Sequence, residues 1–482
     1  MRYDFFAALI LALSLALASP RLAAQQGTPL PAHASAVSTS AASAQAVSAQ
    51  AVSAQAVSAQ APATESAAAL SLERLREMAL EKSPALRSAM LETDSTVLAE
   101  KIRSQELLPS ISVRGGVGAS YAIAGAAQAS VTASVGVSET IYDGGKHRVL
   151  AQIDALSTLS ARNAAKSAYF SALRSVDSAY YDYLEAEASV EAARADVQAA
   201  ALRLELAKAK AEAGRASRTD LLQADALAAT KETALSQATK VRAVARARLV
   251  ALAGIAPAAA IAKVDFSAYE RLVAAIAALS EAQVEAFADR AVSLSRTGNL
   301  PLAAAAIARE RAEKEAELAK LTNAPNVSAS FSYGLGYGVA AGLDLGTPSL
   351  SLSATLAIAP WSAAATSKKA DIAVSRAFLA QAEIQSSQDL AVRETIYGLC
   401  AAARALGSSA LSLDYSNGNY EGVLERFKRS VASSTELSEA EALASGARKG
   451  LIGARYALLR LASELSLAAG MEDEGLLARL LP

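Results

Sequence analysis

Cysteine, histidine, tryptophan and aromatic residues in general are scarce in this chain. Among 482 residues there is one cysteine, Cys400, so no intrachain disulfide can form. Two histidines, His33 and His147, lie in different kinds of sequence, and neither has a metal-ligand partner at helical spacing. A formal net charge of −1 leaves no basic excess to meet phosphates, which argues against nucleic acid as a partner. No catalytic constellation emerges either. Asp143-Gly144-Gly145 lacks the rest of any phosphate-binding motif, and Gly115-Gly116-Val117-Gly118 leads into a strand pattern rather than a helix. Serine-rich segments carry no accompanying histidine and acid. The chain therefore reads as a non-enzyme with no cofactor and no metal site.

One further absence is informative. From Lys146 to Ala213, a run of 68 residues, there is neither proline nor glycine. At about 1.5 Å per residue this predicts a helix of roughly 100 Å, longer than a globular domain holds. Gly214 to Ser217 form a turn, Ser217 can cap, and Arg218 to Ala253 return as a second helix. Alanine is abundant, which suits long helices in close contact, and Cys400 within such a run reads as a small buried residue. Ser71 to Glu81 and Pro84 to Leu107 also read as helix, with Ser83 as cap and Pro84 at the first helical position.

Between Pro109 and Gly145 the period changes from helical to alternating. Ile111, Val113, Val117, Ala119, Tyr121 and Ile123 share one parity, against Ser112, Arg114, Gly116, Gly118 and Ser120. Val131, Ala133, Val135, Val137 and Ile141 then oppose Ser130, Thr132, Ser134, Gly136 and Ser138. Side chains of a strand alternate faces, so each run has one apolar and one small polar face. The runs also exceed the usual soluble strand of about 5 to 6 residues and suit a tilted membrane strand of about 9 to 11. The pattern recurs from Pro325 to Trp361, where Val327, Phe331, Tyr333, Leu335 and Tyr337, then Leu350, Leu352, Leu356 and Ile358, alternate with serine, threonine and glycine. Four strands cannot close a barrel, and open edges cannot face lipid, so several copies would have to build one.

The recurrence extends to the whole plan. Pro109 and Pro325 stand 216 positions apart (325 − 109), and Tyr121 with Tyr337, Thr219 with Thr435, and Gly254 with Gly470 keep that spacing. A tandem duplication of one helix–hairpin–helix–turn–helix unit follows. Ahead of it, residues 1–24 read as a secretory signal, with Arg2, an apolar core from Phe5 to Ala18, and small residues before Gln25. Residues 25–69 carry AVSAQ in tandem from Ala46 to Gln60 and read as a disordered spacer. The organisation expected is a first repeat over 70–254, a connecting segment over 255–279 with an irregular apolar sequence, a second repeat over 280–470, and a tail over 471–482.

With these residues in view, the chain resembles the TolC-like outer membrane efflux protein family. The resemblance is carried by Pro109 and Pro325, by Ile141-Tyr142-Asp143-Gly144-Gly145, and by Ser178-Ala179-Tyr180-Tyr181. The turn from Ala213 to Leu222 and the repeat end from Leu249 to Gly254 add to it. Two features of the second repeat depart from the pattern: Ala359-Pro360-Trp361 stands in place of Asp-Gly-Gly, and Ser430 in place of the turn glycine.

What the resemblance implies is a mainly α fold with a β-barrel part. Long antiparallel coiled coils and two long hairpins per chain would assemble as a trimer, with one 12-stranded barrel in the cell outer membrane and a helical tunnel in the periplasm. Function would be that of a passive exit duct of a tripartite efflux or type I secretion system, working with a periplasmic adaptor protein and an inner-membrane pump. Tyr142 and Trp361 would mark one membrane interface and Tyr121 and Tyr337 the other. Glu436 and Glu439, with Asp220 in the first repeat, match positions of acidic rings that narrow the periplasmic entrance. The adaptor would meet the turns at Gly214, Arg215, Ser217, Ser430 and Ser433. A structural or adhesive coiled-coil protein without transport activity is the competing class.

Overall fold

The computed structural model describes residues 69–121, 127–214, 217–338, 342–356 and 360–468. The expected signal, the spacer up to residue 68 and the tail, together with Ile123, Arg215, Ile358 and Gly470, lie outside the described residues.

The fold opens with two helices, α1 (Leu72–Lys82) and α2 (Pro84–Gln105). Ser71 caps the first by accepting from the Arg74 N–H, and Ser83 caps the second by accepting from the Leu86 N–H, with Pro84 where no intrahelical donor is needed. Strands β1 (Ser110–Tyr121) and β2 (Ala127–Tyr142) follow as an antiparallel hairpin. The chain then turns into α3 (Lys146–Glu212) at Asp143-Gly144-Gly145. The Asp143 carboxylate accepts from the backbone N–H of Gly145 and of His147, which caps a helix that has no serine or threonine to do so. Gly144 is left-handed at φ +72, and a Cβ there would meet the Ala324 side chain at 2.2 Å, so only glycine fits.

Helix α3 runs for 67 residues and returns as α4 (Arg218–Ala253). The connecting segment contains a short helix that the sequence reading missed, α5 (Ser267–Ala277). Its Leu272, Val273, Ile276 and Ala277 pack on the core of the second repeat, so the stretch is amphipathic rather than irregular. Helices α6 (Glu281–Gly298) and α7 (Leu300–Lys320) then repeat the opening pair, and Asn299 takes the capping place of Ser83. Strand β3 (Asn326–Gly338) is followed by β4 (Gly342–Asp344) and β5 (Ser349–Thr355), and the chain ends with α8 (Pro360–Lys428) and α9 (Ser434–Ala468).

The fourth strand differs from expectation. The strand expected from Leu350 to Ile358 is β5, which stops at Thr355 before Leu356, and the short β4 pairs with β3 ahead of it. Pro348 offers no N–H to the ladder, and the Asp344 carboxylate takes the Gly346 N–H at 2.9 Å, so residues 345–348 leave the pairing. The result is one open sheet in the order β1-β2-β3, with β4 and β5 together on the far edge.

The duplication is visible in packing. One buried cluster contains Val176, Tyr180, Tyr183, Leu184 and Leu249, and the other contains Val392, Ile396, Leu399, Cys400 and Leu465. Each pair differs by 216 positions (392 − 176), so the two cores are built from the same places in the repeat. Cys400 thereby occupies the position of Leu184, and burial pushes its thiol above the ordinary range. It is a packing residue. Further along α3 the buried positions Ala193, Ala200 and Ala207 step by seven, which lets neighbouring helices approach closely.

Candidate channel sheet and helix-tip site

The sheet has two faces of opposite character. On one, serine hydroxyls pair directly across strands: Ser110 with Ser138 at 2.8 Å, Ser328 with Ser353 at 2.9 Å, and Ser330 with Ser351 and Ser332 with Ser349 at 2.8 Å each. Glycine shares that face, including Gly136 opposite Ser112 and Gly334 opposite Ser134. The other face carries apolar side chains that the described residues leave largely bare: Val113 is 76%, Val117 84%, Leu350 70% and Leu352 71% exposed. A soluble sheet of this size would bury that face, and both outer edges would need partners. The arrangement suits lipid on one side and water on the other.

Aromatic residues sit at the ends of the strands. Tyr142 closes β2 and Trp361 opens α8, both exposed, where strands meet helices. Tyr337 lies toward the opposite end of β3, paired with Leu343. Tyr121 ends β1, with its side chain outside the described residues.

At the other end of the long helices are the two turns. Gly214 has φ +69, and Ser430, 216 positions later (430 − 214), adopts φ +61. The substitution that departs from the family pattern therefore keeps the backbone shape of the tip. Among the described residues Ser430 is alone in holding a left-handed conformation without being glycine, at a cost of about 1–2 kcal/mol. Ser217 and Ser433 cap the returning helices, each accepting at 3.1 Å, from the N–H of Asp220 and of Glu436 respectively.

The acids expected at the entrance divide in behaviour. Asp220 folds back on Ser217, accepting from its hydroxyl and its N–H, and those two hydrogen bonds hold its carboxyl below the usual range. That is the geometry of a capping box. Glu436 is engaged at 3.3 Å by Arg426, on the last turn of α8, and remains half exposed. Glu439 is exposed one turn further along. Glu436 and Glu439 thus share the outer side of α9, whereas Asp220 is tied to its own turn.

Sequence reasoning missed a buried polar joint just behind these tips. Arg203 of α3, only 3% exposed, donates to Ser438 Oγ at 2.5 Å, Ser434 Oγ at 2.9 Å, Ser434 O at 3.2 Å and Glu441 Oε2 at 3.1 Å. Two turns away, Asp196 accepts from Ser445 at 2.5 Å and Arg448 at 3.2 Å, with Lys231 of α4 at 3.6 Å. Burial raises the Glu441 carboxyl against the opposing pull of Arg203, and its second oxygen has no hydrogen-bond partner. The signal was present: Ser434, Ser438, Glu441, Ser445 and Arg448 recur at steps of four and three, a polar stripe on the face where an apolar one belongs. Lys210, whose ammonium is held below its ordinary range by burial, sits 3.4 Å over the Phe427 ring and closes the tip.

Two long helical hairpins that carry an open sheet, apolar on one side and hydroxyl-lined on the other, are an architecture shared with outer membrane channels. Residues 75–255 match the sequence family described as outer membrane efflux protein. The TolC-like resemblance stands in this match. In fold the chain is similar to the outer membrane protein VceC of Vibrio cholerae, with a TM-score of 0.67 and 17% identity over 83% of this chain and 96% of that one. It is likewise similar to the open state of the MtrE outer membrane channel of Neisseria gonorrhoeae (TM-score 0.67, 19% identity, 83% and 89% covered). The CmeC outer membrane channel of Campylobacter jejuni gives a TM-score of 0.67 at 14% identity, with 83% and 85% covered. No curated protein sequence matches the chain.

Proposed function

We propose that three copies of this chain join edge to edge into a 12-stranded barrel and act as the exit duct of a tripartite efflux or type I secretion system. The observation that supports this most directly is the open sheet, with a bare apolar face and two unpaired edges, which only other copies and lipid together can satisfy. The serine and glycine face then lines the lumen, and Tyr142 and Trp361, with Tyr121 and Tyr337 opposite, mark the two membrane interfaces. Residues 1–24 direct export, and residues 25–69 are a spacer ahead of the two repeats.

In this reading the tips meet a periplasmic adaptor, through Gly214, Arg215, Ser217, Ser430 and Ser433, and the adaptor links them to an inner-membrane pump. Glu436 and Glu439 form the charged constriction, and threefold symmetry brings six carboxylates into one ring. Asp220, held by its cap, contributes charge at the same level. Mass measurement in mild detergent and conductance in planar bilayers test the reading. A trimer with discrete conductance is expected, and Glu436→Gln with Glu439→Gln should lower cation selectivity. A stable monomer without conductance favours the adhesive coiled-coil class instead.

A further inference from the structure

The sheet is nearly free of charge. Between residues 107 and 138 the sequence carries a single charged residue, Arg114, and between 321 and 367 a single one, Asp344. Every other described position on the hydroxyl face of the strands is uncharged: serine, threonine or glycine, with Gln128 and Asn326 at its two ends. Arg114 stands on that face, opposite Ser134 in β2, which in turn opposes Gly334 in β3. It is exposed, and among the described residues no carboxylate engages it. Asp344 lies on the far edge of the same face, in the row of Gly116 and Thr132, with its Oδ1 occupied by the Gly346 N–H at 2.9 Å.

We propose that Arg114 is an anion-recognition position in the exit part of the lumen, and that cargo bearing carboxylate, phosphate or sulfonate groups is what it serves. The inference rests on the reading of the hydroxyl face as the lumen. In a threefold barrel, three guanidinium groups then stand at one level on a wall with no other cation. A fixed charge on such a wall sets the local ion concentration, because the low-dielectric surroundings focus its field. Guanidinium also presents a planar fork of donors that matches carboxylate and phosphate, where lysine would offer only a point charge. The glycines at 116 and 334 leave room beside it for a bound group. An acidic entrance and a cationic exit make an asymmetric duct, in which an anion released past the tips is drawn onward.

The test is reversal potential in a potassium chloride gradient, measured on the purified protein in planar bilayers. Parent, Arg114→Gln and Arg114→Lys are each compared with and without Glu436→Gln and Glu439→Gln, so that charge at the tips does not mask the barrel. Arg114→Gln should lower the chloride-to-potassium permeability ratio roughly threefold, and Arg114→Lys should stay close to the parent. Sodium tripolyphosphate added on the barrel side should block the parent and lose that block in Arg114→Gln. Equal permeability ratios and equal block in parent and Arg114→Gln, in both backgrounds, overturn the inference while the channel reading survives. A parent protein with no conductance at all overturns the channel reading itself.

Discussion

Replacing Arg203 by alanine probes the buried joint most directly. Its guanidinium is 3% exposed and the Glu441 side chain 8%, so the change leaves the carboxylate in the interior without the guanidinium that it bonds. Breaking one half of a buried pair costs about 3–5 kcal/mol, because the surviving charge keeps its desolvation penalty. Arg311 and Glu315 are the control: their separation, 2.9 Å, is shorter than the 3.1 Å of the buried pair, but they are 49% and 51% exposed. An exposed helical pair of that kind is worth about 0.3–0.5 kcal/mol. Burial, and not distance, should therefore decide the outcome. The readout is tryptic nicking after Arg429, an exposed residue in the turn that the joint anchors. When opening is fast, nicking follows the population of the open form, so about 3 kcal/mol corresponds to more than a hundredfold faster cleavage. Arg311→Ala should change it by about twofold or less. The double change Arg203→Met with Glu441→Leu should restore resistance, because an apolar pair of similar volume removes the stranded charge. Equal nicking of Arg203→Ala and Arg311→Ala would refute the reasoning.

Three other outcomes follow from the geometry. Val135→Arg places charge on the exposed apolar face and should impair membrane assembly by about 2–4 kcal/mol per copy, whereas Ser134→Arg on the hydroxyl face should assemble; heat-sensitive trimer bands on gels distinguish the two. Ser430→Gly relieves a left-handed serine and should slow nicking at the second tip, consistent with about 1 kcal/mol, while Gly214→Ala should speed it at the first. Burial raises the Glu441 carboxyl, so the folded state holds that proton more tightly than the unfolded chain does. This contribution is full below the unfolded carboxylate value and is lost as pH rises through the raised folded value. Circular dichroism melts should accordingly show Glu441→Gln gaining on the parent as pH rises from 5 to 7.

The fold was legible because its periods are long and unmixed. A run of 68 residues without proline or glycine can be little else than a helix, and alternation over ten or more residues fixed which strand face carried Val135 and which carried Ser134. The capping residues Ser83 and Ser217 were readable for the same reason, since their chemistry is local. What failed was short or non-local. The short β4 lay outside the alternating runs, because the apolar parity changes from Leu343 and Leu345 to Leu350 and Leu352 across Pro348, and α5 was too short to show its period beside Pro257. Of the acids at the entrance, sequence placed Asp220 and Glu436 alike, because both follow a capping serine by three residues. Their difference comes from Arg426, which reaches Glu436 from the preceding helix, and from the shorter aspartate stem, which lets Asp220 fold back on Ser217. Neither fact is contained in the spacing.

The buried joint also answers a question that the alanine-rich helices raise. Ala193, Ala200 and Ala207 give α3 small contact residues at steps of seven, and such a face can slide along a neighbour with little change in buried area. A slip of seven residues, about 10.5 Å, would leave small residues still facing one another. Arg203 cannot tolerate it. Its four hydrogen bonds end on Ser434, Ser438 and Glu441, and the same displacement would remove the guanidinium from two or more of them while keeping it buried. Asp196, seven residues earlier on the same helix face, would lose Ser445 and Arg448 in the same movement. Apolar packing therefore supplies attraction between the two hairpins, and the polar stripe supplies their axial register. That division explains why charge is buried just behind the tips: the level of Gly214 against Ser430 sets whether the two turns present one end or two.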